Sequence, residues 1–131
     1  MPIIELSLTI MSENLAPEVI TSLVGCSPTS SQTKGHRRTS LAPPFARNSW
    51  TLEFGESSDV EIDRLKERCL RFVSRYHTSL KEITAREGVM AFLTFYIRTG
   101  VHHTGFELSV DEMQLLAAAR IFTTFSIYPI D

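Results

Sequence analysis

The chain is poor in the features that usually mark a chemistry. Its two cysteines, Cys26 and Cys69, sit far apart with no C-x-x-C spacing, so neither a zinc knuckle nor a redox pair is expected. Both read as reduced thiols of a cytosolic protein. The six glycines form neither G-x-G-x-x-G nor a P-loop, which leaves nucleotide chemistry without a handle. No G-x-S-x-G elbow presents a nucleophilic serine. Apolar runs are too short to span a bilayer, and "MPIIELSLTIMSEN" lacks a basic leader, so a soluble cytoplasmic protein without a signal peptide is expected. Charge of one sign is lacking too: 13 Lys and Arg against 15 Asp and Glu give a net charge of -2 and no global attraction to polyanions.

What remains is the composition of an ordinary folded domain. Hydrophobic residues make up 43% and charged residues 21% of 131 positions, enough for one domain with a core that needs neither disulfides nor metal. Ile4, Leu6, Leu8 and Ile10 alternate with Glu5, Ser7 and Thr9, the period of a strand with one face buried. A helix follows over "LAPEVITSLVG", with Pro17 in its first turn, Gly25 as its stop and Leu15, Val19, Ile20 and Leu23 as its apolar stripe.

Residues 26–49 are rich in Ser, Thr, Pro and Gly and read as an irregular connection with mobility. "SWTLEF" then gives a short strand, with Trp50, Leu52 and Phe54 on one face. A long amphipathic helix is predicted from a capping pair at Ser58 and Glu61 to a stop at Gly88, with Ile62, Leu65, Cys69, Phe72, Val73, Tyr76, Leu80 and Ile83 inward. "VMAFLTFYIRT" is apolar on both faces, as a central strand is. After "VHHTGFELSVDE" come a short helix, opened by a capping box of Ser109 and Glu112, and a last strand, "RIFTTFSIYPI".

The order β-α-β-α-β-α-β predicts an α+β fold in a single domain, 1–131. Its four-stranded, mainly antiparallel sheet would carry helices on one face and a long central helix, related to ferredoxin-like folds. "ENLAPEVITSLV" and "FELSVDEMQLLA" echo one another as a weak strand-helix-strand pseudo-repeat. The uncovered sheet face would collect Glu5, Ser7, Thr9, Thr51, Glu53, Phe92, Thr94, Tyr96, Phe122, Thr124, Ser126 and Tyr128.

The early strand with "LAPEVITSLVG", then "SPT", the "KG" of Lys34 and Gly35, "SWTLEF", the long helix, "GFELS" and the closing "IYP" resemble a bacterial family of unknown function, DUF4279, over almost the whole chain. The resemblance implies a small, soluble, single-domain bacterial protein of α+β type and carries no activity. The sequence departs from the family before "GFELS", where small and glycine-rich residues are usual and "VHHT" stands here. His102 and His103 thus inherit no role.

No metal site and no cofactor are expected. Adjacent histidines point apart, and His36, His77 and the cysteines lack ligand spacing. An acid-base pair of His102 or His103 with Glu107 has adjacency but no geometry behind it, and no catalytic residue is assigned.

The leading expectation is a non-enzymatic protein-interaction or regulatory module. It would hold a protein partner or a second copy through Trp50, Phe92, Tyr96, Phe122 and Tyr128. Toxin neutralisation by an immunity-like protein is one special case. The alternative is binding of nucleic acid or a phosphorylated ligand by Lys34, Arg37, Arg38, Arg68 and Arg75. On the helix Arg64, Arg68, Arg71 and Arg75 form a basic stripe, but Glu61, Glu67 and Glu82 interleave with it as on a solvated face.

Overall fold

The computed structural model describes residues 3–58, 62–99 and 107–129. The first strand, β1 (Ile3–Ser12), forms as its alternation dictates, and Ile4, Leu6, Leu8 and Ile10 are each at most 1% exposed. Ser12 ends it: its Oγ accepts from the backbone N–H groups of Asn14 and Leu15 and turns the chain into α1 (Pro17–Val24). Pro17 opens α1, and Gly25, at φ 86°, closes it by donating its N–H to the Thr21 carbonyl. The buried side of α1 is Pro17, Ile20 and Val24, whereas Val19, expected inside, is exposed.

The segment expected to be irregular contains a strand, β2 (Ser30–Gln32), paired antiparallel with β3 (Asn48–Ser58). The chain between them is tied back on itself. Gly35 N–H donates to the Phe45 carbonyl, Phe45 N–H to the His36 carbonyl, and Lys34 N–H to the buried Oδ1 of Asn48 at 2.8 Å. Ser, Ser and Gln carry no apolar alternation, so nothing in their own sequence announces a strand.

The long helix is two helices, α2 (Ile62–Arg75) and α3 (His77–Thr84), separated at Tyr76, whose φ of -103° and ψ of 18° leave the helical range. Burial explains the break. Leu65, Cys69 and Val73 are buried at steps of four, which rotate the stripe by about 40° each time on a helix of 3.6 residues per turn. The kink resets that drift, so that Leu80 and Ile83 also reach the core. The expected capping pair at the start of α2 involves Glu61, which lies outside the described residues.

After β4 (Val89–Thr99), α4 (Val110–Ala118) leads into β5 (Ile121–Pro129). The strand order is β2-β3-β1-β4-β5. β1 is antiparallel to both β3 and β4, while β4 and β5 are parallel. The sheet is thus five-stranded and mixed, not four-stranded and mainly antiparallel, and the ferredoxin-like relation falls with that expectation. Two causes act. β2 adds a strand at one edge, and the crossover through α4 delivers β5 in the same direction as β4, which a hairpin could not do. The two echoing segments each lead through a helix to a strand that runs the same way: β2 is parallel to β1 with β3 between them, and β5 is parallel to β4 beside it.

The core lies between the helices and one sheet face, formed by the even side of β1, Trp50 and Phe54 of β3 and Val89, Ala91, Leu93 and Phe95 of β4. Thr84 joins helix to sheet edge: its hydroxyl donates to the Leu80 carbonyl at 2.8 Å and lies 2.9 Å from the Ala119 carbonyl. The start of α4 is a capping box. Ser109 Oγ accepts from Glu112 N–H at 3.1 Å, and Glu112 Oε1 accepts from Ser109 N–H at 2.8 Å and pairs with Lys66 of α2 at 3.2 Å.

Ser109→Ala is expected to lower stability by about 1 kcal/mol in urea unfolding. The Ser109 backbone bond, helped by Lys66, holds the Glu112 carboxyl below its ordinary value. A carboxyl depressed in the folded state adds stability above its unfolded pKa and loses it as pH falls through the folded one. The stability difference between wild type and Glu112→Gln is therefore expected to shrink as pH drops through the carboxylate range. A difference independent of pH contradicts this assignment.

The core also silences one thiol. Cys69 is 0% exposed, and desolvation pushes its pKa up to about 12, whereas Cys26 is only half-buried. Iodoacetamide at mildly alkaline pH is expected to label Cys26 alone in the native protein and both thiols in denaturant, as read by peptide mass spectrometry.

Candidate functional site

The face of the sheet turned away from the helices carries the most distinctive chemistry. Four of its rings pair across the parallel strands. Phe92 and Phe122 stack at 5.7 Å between centroids, and Tyr96 and Tyr128 stack at 6.4 Å with ring planes 14° apart. Between the two pairs the hydroxyls of Thr94 and Thr124 meet at 2.8 Å, and on the neighbouring strands those of Thr9 and Thr51 at 3.2 Å. Phe122 and Tyr128 remain 55% and 50% exposed, so half of each outer ring faces solvent.

Beside Tyr96 the face is acidic. Glu5, Ser7, Glu53, Gly55, Glu56 and Tyr96 line a shallow depression of about 300 Å³. A bulge in β3 creates it: Leu6 pairs with Gly55 and Ser7 with Glu53, so Phe54 is an extra residue and the facing pattern inverts there. Gly55 takes φ 122° at the bulge, where an added Cβ would stand 3.3 Å from Leu65 Cδ2. Glu53 and Glu56 thereby share the open face with Glu5, which pairs with Tyr96 across β1 and β4. Arg98 bonds Glu5 and lies 3.6 Å from Glu56, so its guanidinium offsets part of the charge of the three carboxylates that line the depression. Strict alternation along "SWTLEF" places Glu53 on this face and misses Glu56. The readable signal was Gly55, an isolated glycine in a strand pattern.

A second hollow of about 390 Å³ lies at the other end of β4 and β5, lined by Thr84, Val89, Met90, Ala117, Arg120 and Phe122. Arg120 takes φ 59° there, the tight turn between α4 and β5.

Of the residues expected to hold a partner, Phe92, Tyr96, Phe122 and Tyr128 come together on this one face. Trp50 does not. It is 0% exposed, and its indole N–H donates to Thr21 Oγ1 at 3.0 Å, so it locks β3 to α1. The basic residues are dispersed and locally engaged. Arg37 donates to the Ala42 carbonyl in its own loop, Arg68 to the Phe54 carbonyl, and Arg71 to Glu67, while Arg75 lies over the Tyr76 ring. Lys34 is exposed in the connection, as is Arg38. His102 and His103 lie outside the described residues. Among those described, no three His, Cys, Asp or Glu side chains are grouped to hold a metal ion, and no helix is long and apolar enough to cross a membrane.

Chemically, the face offers π-surface at one side and a carboxylate corner at the other, with Tyr96 belonging to both. That suits a ligand surface bearing an apolar side chain and a cation. Comparison with curated proteins and with solved structures gives no match. A family model described as Domain of unknown function (DUF4279) matches residues 2–129, nearly the whole chain, and the chain belongs to that family.

Proposed function

We propose that the protein is a non-enzymatic interaction or regulatory module of the cytoplasm that holds a protein partner on its open sheet face. The half-exposed pairs Phe92–Phe122 and Tyr96–Tyr128 carry this reading. Rings stacked in place contribute contact area with little further loss of side-chain entropy, which is why tyrosine serves so often as an anchor at interfaces. The carboxylate corner beside Tyr96 favours a partner that brings a lysine or arginine, with the apolar part of its surface on the rings. An immunity-like protein that covers a basic toxin surface is one form such a module takes.

The same corner weighs against phosphates. Glu5, Glu53 and Glu56 would repel a polyanion laid along the rings, and Arg37 and Arg68 already donate to carbonyls of their own chain. Binding of RNA, DNA or nucleotides with a steep inverse dependence on salt would replace the proposal with that alternative.

In affinity capture from the source cell, Tyr96→Ala combined with Tyr128→Ala is expected to lose the partner that the wild-type protein retains. Glu53→Gln should weaken capture and its sensitivity to salt. Circular dichroism confirms that the variants fold. Identical capture by wild type and the tyrosine variant overturns the proposal.

A further inference from the structure

The two edges of the sheet are built differently. β2 is three residues long, an edge too short to accept much pairing, whereas β5 runs nine residues and has no strand on its outer side among the described residues. Exposed edges are normally blunted by lysine, inward charge, a bulge or brevity. β5 uses none of these: "IFTTFSIYP" contains no charged residue, pairs with β4 without a break in register, and places its proline only at the last position.

We propose that two copies of the chain join along β5, antiparallel and centred on Phe125, so that the two sheets become one. The inference rests on the interaction-module reading and names a partner for it.

Self-complementarity selects both the partner and the register. In an antiparallel pair, residues directly opposite share a face. Centring on Phe125 sets Phe122 opposite Tyr128 of the second copy and Thr124 opposite Ser126 of the second copy, ring against ring and hydroxyl against hydroxyl. Phe122, Thr124, Ser126 and Tyr128 all belong to the open face, since their β4 partners are Phe92, Thr94, Tyr96 and Arg98. Sliding to the next permitted register on either side sets Phe122 opposite Ser126, or Tyr128 opposite Thr124, and mismatches ring with hydroxyl. Only the centred register also uses the strand from Ile121 to Pro129. Matched aromatic and hydroxyl pairs are the combinations that stabilise neighbouring strands.

Area and charge agree. The outer halves of Phe122 and Tyr128 supply about 200 Å² per copy. Ile127 is 66% exposed, and α4, the helix that packs on β5, leaves Val110 64% and Met113 49% exposed. A standard interface draws roughly 800 Å² from each partner, to which the exposed side chains of β5 contribute. The carboxylate corner sits on β1 and β3, so at about 4.8 Å per strand the β1 strands of the two copies would lie some five spacings, about 24 Å, apart. That exceeds a Debye length of about 8 Å at physiological salt, and the copies do not repel one another there.

The test mixes two single-cysteine strands in a Cys26→Ser background, Thr124→Cys in one copy and Ser126→Cys in the other, under mild oxidation. A mixed disulfide dimer in clear excess over either self-pair is expected, together with a wild-type dimer at micromolar concentration by native mass spectrometry and light scattering. Thr124→Lys, folded by circular dichroism, should shift the dimer to monomer. A monomeric wild-type protein, or a dimer whose mixed disulfide does not predominate, overturns the edge pairing. Capture by Glu53→Arg alone reads the module separately, because Glu53 lies at the acidic corner on β3, three strands from β5, and takes no part in the pairing. Its loss alongside a monomeric wild type sinks the dimer and keeps the module. Unchanged capture alongside the mixed disulfide keeps the dimer and removes the outside partner.

Discussion

The even-numbered side chains of β1 must be kept from water along their whole length, and the other elements are placed by that requirement. Ile4, Leu6, Leu8 and Ile10, almost without exposure, each contribute about 1.5–3 kcal/mol of burial. β3 and β4 flank β1 on either side, and the helices cover its apolar face. α2 meets that covered surface and then bends at Tyr76, because one straight helix with Leu65, Cys69 and Val73 at steps of four would carry Leu80 and Ile83 off a twisted sheet. Capping at Ser109, with Glu112 reaching Lys66, fixes the start of α4 against α2 and so sets where β5 arrives.

The same strand explains why the opposite face has its particular chemistry. Nothing among the described helices covers it, so its odd-numbered side chains are Glu5, Ser7, Thr9 and Met11 instead of a second apolar set. β3 would have offered only Glu53 to the acidic corner had its alternation run unbroken. The extra residue at Phe54 lets that ring stay buried against Phe72 while the chain beyond it turns Glu56 to the open side. A bulge needed for packing thus also gathers carboxylates, and packing and surface chemistry cannot be varied independently there.

How much of this the sequence revealed follows from where its signals are local. Period-two alternation located β1, β4 and the open face. Pro17, Gly25, Ser109 and Glu112 marked helix ends because caps act within a few residues. What stayed hidden depends on distant partners. β2 is a strand because Thr51, Trp50 and Ser49 offer it a ladder, not because Ser30–Gln32 favours one. Alternation is identical for either strand direction, so nothing within "RIFTTFSIYPI" says that β5 runs parallel to β4. Trp50 is expected from the sequence to help hold a partner, yet Thr21, on a different element, satisfies its N–H and lets it be buried. Tyr76 breaks a helix without proline or glycine, for reasons that exist only once the sheet is present.

Parallel pairing of β4 with β5 has one further consequence. Residues in register across a parallel pair lie on the same face, so Phe92 faces Phe122, Thr94 faces Thr124 and Phe95 faces Phe125. The aromatic periodicities of the two strands coincide, which stacks rings in the sheet's outer half on both of its faces. Ring surface is thereby concentrated at the β5 edge, while charge is concentrated two and three strands away on β1 and β3. Tyr96 stands at the boundary, stacked on Tyr128 to one side and lining the carboxylate depression on the other. A contact made at either side is therefore felt by the same ring, and a shift in Tyr96 on binding at the acidic corner would reach Tyr128 on β5 through a single stacking contact.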